Sequence, residues 1–303
     1  MEEITINIQP TTKPTIVKFE ANKFLTKHEN FEFHNIEEAK RSPLAQQLFH
    51  LPFVKTVYIA QNFVAIEKYN IVHWKDIQDE IADQLRNYLN SGADVITPSE
   101  EDSNKKIPVT VYAESTPNPG VMKFVSNRKL VLNTVEFKNI DEAKNAPIAK
   151  ALFHFPFVKE VFMDENYISI SKYDIAEWEE ITLELREFIR NYLEEGKEIV
   201  TGETTTAKKE ATVEETPKKR VKLDDTSEEI IAILDEYVKP AVASDGGNIL
   251  FESYDANEKV VKVILQGACS GCPSSTFTLK NGIENMLKEM MHDKVNRVEA
   301  ING

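Results

Sequence analysis

An α+β protein of three small domains is what this sequence predicts. A long internal repeat, short apolar runs alternating with segments of helical period, and one cysteine pair in a distinct C-terminal pattern point to it. Leu48-Phe49-His50-Leu51-Pro52-Phe53-Val54-Lys55 returns 104 residues later as Leu152-Phe153-His154-Phe155-Pro156-Phe157-Val158-Lys159. The same offset pairs Phe33 with Phe137, Trp74 with Trp178, and Arg86-Asn87-Tyr88-Leu89 with Arg190-Asn191-Tyr192-Leu193. So long a period exceeds the roughly 20 to 50 residues of a solenoid unit, so each copy is a domain with its own core.

The boundaries fall at 1–107 and 108–200 for the two copies, 201–226 for a linker and 227–303 for a cysteine module. In the second copy, Val109 to Ala113, Val121 to Val125, Val158 to Met163 and Tyr167 to Ser171 carry strand patterns, and Ile175 to Leu193 a helical one. Residues 201–226 hold six basic and six acidic residues and almost nothing apolar, which predicts a flexible tether with an end-to-end distance of about 25 to 30 Å. Lys218-Lys219-Arg220-Val221-Lys222 inside it is flanked by acids and is assigned to solvated linker, not to a nucleic-acid patch.

The module reads α-β-β-α-β. Thr226 with Glu229 fits a capping box for a first helix that Pro240 stops. Asp245-Gly246-Gly247 is a turn with glycines free to take positive φ, and Ile249 to Tyr254 and Lys259 to Gln266 form a hairpin. After the cysteines, Ser274 or Ser275 caps a helix bearing Phe277, Leu279, Ile283, Met286, Leu287 and Met290, and Val295 to Ile301 is the last strand.

The charge, −14 overall and −4, −5, 0 and −5 over the four segments, opposes attraction to nucleic acid or to anionic lipid. No stretch reaches the roughly 18 uncharged apolar residues of a membrane span. The acidic start, Met1-Glu2-Glu3, lacks secretory and organelle-targeting patterns, so cytoplasmic residence is expected. No Ser-His-Asp set and no phosphate-cradling glycine loop stands out, so enzymatic turnover is not expected.

Only two cysteines occur, in Cys269-Ser270-Gly271-Cys272-Pro273. Tetrahedral zinc and iron-sulfur clusters usually take four protein ligands, so this pair needs a second chain or small molecules to complete a site. Cys272 precedes a helix N-terminus, where free N–H groups favour thiolate, and Pro273 suits the first helical turn; the loop reads as a ligated, partly exposed pair. His50, His154 and the two tryptophans are assigned to packing, and His292 to the end of the last helix.

Those residues resemble a known family. Asp245-Gly246-Gly247, Gly267-Ala268-Cys269-Ser270-Gly271-Cys272-Pro273-Ser274-Ser275-Thr276 and Thr278-Leu279-Lys280-Asn281-Gly282-Ile283-Glu284 look like the NifU C-terminal domain over residues 227–303. The repeated units resemble the N-terminal domain of Nfu-type scaffolds through Ser115-Thr116-Pro117-Asn118-Pro119, Lys123-Phe124 and Ala146-Pro147-Ile148-Ala149. The second copy matches better, since the first has Thr12-Lys13-Pro14 in the proline loop. The resemblance implies a scaffold or carrier that assembles a 4Fe-4S cluster between two subunits, with Cys269 and Cys272 as cofactor and metal ligands. It implies a homodimer when loaded, apo iron-sulfur proteins as acceptors and upstream assembly machinery as donor.

Two other chemistries use the same sulfurs. A zinc shared by two chains has identical spacing, and Cys-X-X-Cys at a helix start also serves thiol-disulfide exchange. Against exchange stand the hairpin before the loop, in place of the first strand of a βαβ unit, and the lack of an aromatic beside Cys269. A further alternative is an adaptor whose repeats are its main activity, with the thiol pair as redox sensor.

Overall fold

The computed structural model describes residues 3–26, 29–97, 108–201, 224–270 and 273–302, with backbone alone for 273–277. It divides into two compact units, Met1–Pro108 and Val109–Gly303, the second combining the second repeat and the cysteine module. The predicted linker lies almost wholly outside the described residues.

In the first unit the chain runs β1 (Ile6–Pro10), β2 (Ile16–Ala21), β3 (Asn30–Phe33), α1 (Pro43–Phe49), β4 (Val54–Ala60), β5 (Phe63–Lys68) and α2 (Trp74–Asn90). The strands form one antiparallel sheet in the order β1-β2-β5-β4-β3. Ser42 starts α1, its Oγ accepting the Ala45 amide at 3.1 Å, and Pro43 occupies the first turn, where no N–H is needed. Ile81, Ala82, Leu85 and Leu89 recur at helical spacing along α2 and are buried, Ile81 and Leu85 against a core holding Phe19, Leu48, Ile59 and Ile66. Each such side chain removed from water contributes about 1.5–3 kcal/mol.

The second repeat copies this plan: β6 (Val111–Ser115), β7 (Val121–Ser126), β8 (Val135–Phe137), α3 (Pro147–Leu152), β9 (Val158–Asp164), β10 (Tyr167–Lys172) and α4 (Trp178–Glu194), in sheet order β6-β7-β10-β9-β8. The sequence-based strands reappear with small shifts at their ends. The short edge strand β8 and the one-and-a-half-turn α3 carry too few residues to show a period, and sequence patterning missed both. Trp74 is buried and Trp178 partly so. His50 and His154, expected in the packing, are exposed instead, and each Nδ1 meets a carbonyl one turn back, Gln46 at 2.7 Å and Lys150 at 2.8 Å.

The module follows with α5 (Asp225–Ile233), a widened π turn (Leu234–Val238), α6 (Lys239–Ser244), β11 (Gly247–Asp255), β12 (Val260–Gly267), α7 (Pro273–Met291) and β13 (Arg297–Asn302). The α-β-β-α-β order is as expected, with three local corrections. The cap is Asp224, not Thr226: its Oδ1 accepts the Ser227 amide at 2.8 Å. Pro240 does not end the helical region, because the wide turn resets the ladder and leaves Pro240 in the first turn of α6, where it needs no N–H partner. α7 begins at Pro273, so Ser274 and Ser275 lie inside it; on its later turns Ile283, Leu287 and Met291 are buried while Met290 is exposed.

β11 and β12 pair antiparallel, whereas β12 and β13 run parallel, with α7 as the crossover that parallel strands require. The cysteine loop therefore does sit between the first strand and the helix of a βαβ unit, contrary to the ground used above against thiol-disulfide exchange. His292 follows α7 with φ +51°.

Candidate metal centre

Two glycine turns hold the first cysteine. Gly246 and Gly267 have φ of +82° and +62°, a region that costs a β-carbon-bearing residue steric strain. Gly247 and Gly267 face each other in the β11–β12 ladder, the Ala268 amide donates to the Gly246 carbonyl at 3.2 Å, and the Ser270 amide to the Gly267 carbonyl at 3.0 Å. A β-carbon at Gly247 would stand 2.7 Å from Cys269 Sγ and 2.6 Å from the Gln266 carbonyl oxygen, so only glycine leaves room for that sulfur. Cys269 joins the module's core beside Leu265 and Ile283 and is only 5% exposed. This corrects the expectation of a partly exposed thiol. Cys272, the residue before α7, lies outside the described residues.

The other cover over this loop comes from the second repeat. Register across its sheet places Glu114 opposite Lys123, Lys123 opposite Ser169, Ser169 opposite Phe162, and Phe162 opposite Glu136. Directly opposed residues share a face, so these five side chains make one row across the sheet. Lys123 Nζ donates to the Ser244 carbonyl at 3.2 Å, Ser169 Oγ to the Gly246 carbonyl at 2.7 Å, and Glu136 Oε1 accepts the Gly267 amide at 2.9 Å. The Phe162 ring lies against Gly267, where a β-carbon would come within 2.9 Å. Beside the row, Tyr167 Oη donates to the Gly247 carbonyl at 3.0 Å and Asn118 Nδ2 to the Ala268 carbonyl at 3.1 Å.

The electrostatics fit a partly buried contact. Lys123 is 9% exposed, within 3.6 Å of Glu114 and 4.6 Å above the Tyr167 ring. Burial, chiefly, raises the Glu136 pKa, opposed by the Gly267 hydrogen bond. Burial also holds the Tyr167 phenol above its usual range, with the neighbouring Asp164 and Cys269 adding to the effect.

Asn118, Lys123 and the two glycine turns belong to the sequence motifs, whereas Glu136, Phe162, Tyr167 and Ser169 lie outside them. Their signal was present in the repeat. The first copy's row runs Gln9, Lys18, Ala65, Tyr58, Glu32, so the lysine and the far glutamate are retained while Glu114, Ser169 and Phe162 are replaced.

Comparison with known proteins agrees with this architecture. A model described as "Scaffold protein Nfu/NifU N terminal" matches residues 6–92 and again 111–196, and a "NifU-like domain" model matches 230–299. The chain belongs to the Nfu/NifU scaffold family. Among its relatives, "NifU-like protein 5, mitochondrial" of Arabidopsis thaliana is 32% identical over 178 residues, covering 58% of this chain and 62% of that protein. "NFU1 iron-sulfur cluster scaffold homolog, mitochondrial" of Drosophila sechellia is 37% identical over 180 residues, covering 59% and 60%. The chain thus spans about three fifths of the length of these relatives. A solution NMR structure of a NifU-like protein from Saccharomyces cerevisiae is 31% identical, covering 32% of this chain and 87% of that one, with a TM-score of 0.28. Two Nfu N-terminal copies before one NifU-like domain, and the α+β fold, stand as the sequence predicted.

Proposed function

We propose that this Nfu/NifU-family chain is an iron-sulfur carrier, in which Cys269 and Cys272 of two chains hold one 4Fe-4S cluster as cargo and pass it to apo-proteins. The observation that carries this is Gly247 opening the space behind Cys269 Sγ, in a loop that leads straight into the N-terminus of α7. Thiolates are the donors that iron-sulfur clusters take, and two per chain make four per dimer. A relative named as an iron-sulfur cluster scaffold homolog supports the choice of cargo.

Release proceeds by ligand exchange. Each iron–sulfur bond to Cys269 or Cys272 that breaks is replaced by one to an acceptor thiolate, with no net change of redox state, and separation of the two chains completes delivery. The residues do binding work, not turnover. Upstream assembly machinery is the donor, apo iron-sulfur proteins are the acceptors, and neither nucleic acid nor membrane is a partner. Among the described residues no helix is long and apolar enough to cross a membrane. A cytoplasmic address is retained as a proposal, and relatives with mitochondrial names make cell fractionation its test.

Incubation of anaerobically loaded chain with an apo 4Fe-4S protein tests the function. Restored acceptor activity, with matching loss of the carrier's visible absorbance, is expected; an acceptor that stays inactive contradicts it. Thiol-disulfide exchange is the second reading, favoured by the β12–α7–β13 crossover around the loop. It predicts disulfide reduction by the chain in the absence of iron.

A further inference from the structure

The second repeat and the module have separate cores. The cluster around Phe124, Ile148 and Leu185 contains no module residue, and the one around Ile230, Leu265 and Leu287 contains no repeat residue. What joins them is the polar row, aimed at backbone groups of two glycine turns. A surface carrying Lys123, Ser169 and Glu136 is soluble when bare, and the module-side partners of these three are main-chain groups that water can also satisfy. One module side chain also takes part, Asn248, whose Nδ2 donates to Thr134 Oγ1 at 3.4 Å. Two self-cored bodies joined by such a contact have the makings of a reversible dock, not of a shared core. Asn248 Oδ1, buried beside the contact without a hydrogen-bond partner among the described residues, is a cost of the closed state that opening relieves.

We propose that the sheet face of the second repeat is a docking surface for the chain's own cysteine loop, and that docking and metal loading exclude one another. The second half rests on the carrier reading of Cys269 and Cys272. The sulfur of Cys269 has the module core on one side and the Gly247 turn on another, and the repeat covers the turns that frame it. A cluster shared with another chain needs that cover removed, so loading opens the dock and release of the cluster lets it close.

The first repeat shows why the second is the docking copy. Its lysine lies over an aromatic ring as in the second, Lys18 over Phe63 at 4.6 Å. At the centre of the row, however, Ala65 has no hydroxyl to offer the Gly246 carbonyl, and Tyr58 adds an oxygen where the Phe162 ring lies flush with Gly267. The repeats therefore differ at positions that read the loop: these two in the row and, beside it, Phe63 and Lys13 where the second repeat has Tyr167 and Asn118.

Transplanting the first repeat's residues at the two central row positions tests this, and both residues are already tolerated in the same fold. In a full chain carrying Cys272→Ser, Cys269 is alkylated with iodoacetamide and followed by intact mass, with and without Phe162→Tyr plus Ser169→Ala. At least a tenfold faster reaction in the transplanted chain is expected, at a ratio independent of chain concentration. Equal rates overturn the proposal, and protection that fades on dilution overturns it by assigning the loop to a second copy. Glu136→Lys is the second variant, and thermal melts by circular dichroism establish that each variant is folded. Loading of the two-cysteine chains with iron and sulfide then separates the two halves. Faster loading of the transplanted chain supports exclusion, and equal loading overturns it. If neither chain takes up a cluster while alkylation still differs, docking stands and the carrier reading falls, taking exclusion with it.

Discussion

Glu136 accepts the amide of Gly267 at 2.9 Å, which places a half-buried carboxylate of the second repeat two residues before the first cysteine of the module. The pair joins positions 131 residues apart and ties the state of the repeat to that of the loop.

Acidity should tighten this contact. Burial raises the pKa of Glu136, net of nearby Lys138, Glu142 and Glu160 and of the Gly267 bond, so the docked form binds a proton more readily than the open one. The sign follows: its contribution to docking is fully present below the ordinary carboxylate value of 4.5 and is lost as pH rises through the docked value. Alkylation of Cys269, normalised to the transplanted chain, should slow as pH falls from neutrality. Glu136→Gln, which still accepts from Gly267, should remove the dependence; an unchanged pH profile contradicts the assignment.

Two glycine substitutions should move stability in opposite directions. Gly247→Ala forces a β-carbon against Cys269 Sγ and the Gln266 carbonyl and should cost about 1–3 kcal/mol in urea unfolding. Gly282→Ala, in the interior of α7 with nothing within 4 Å, should stabilise by about 0.5–1 kcal/mol.

Glu284 ties α7 to β13, accepting the Val298 amide at 3.0 Å and pairing with Lys288 at 2.6 Å. These contacts, the Lys288 bond first, lower its pKa. Its stabilisation is therefore present above the ordinary carboxylate value and lost as pH falls through the depressed one. Glu284→Gln should unfold about 1 kcal/mol more easily at pH 7, and the difference should shrink in acid.

Cysteine substitution should separate stability from binding. Cys269→Ala trims one buried sulfur and should cost only about 1–2 kcal/mol of stability. Cys269→Ala and Cys272→Ala should each abolish iron retention. Retention of bound iron by either variant contradicts the ligand assignment.

How far the sequence reached follows from where its signals lie. The repeat, the hairpin and the Cys269 loop are written in contiguous residues, and local period and glycine chemistry reveal them. The π turn is invisible because Pro240 has the same local signature whether it ends a helix or opens the next one. Cys269 is buried in the module core, while the cover that β7, β8, β9 and β10 give the turns framing it rests on side chains such as Ser169 and Glu136 that share no spacing until the sheet aligns them. Between repeats that row differs at three of its five positions, Gln9 for Glu114, Ala65 for Ser169 and Tyr58 for Phe162.

The most direct measurement is iron, acid-labile sulfide and native mass on the same anaerobically reconstituted sample. The account predicts a coloured species of twice the chain mass with about two iron and two sulfide per chain, the stoichiometry of one four-iron cluster on four thiolates. A colourless monomer, or a zinc-loaded dimer without sulfide, contradicts it.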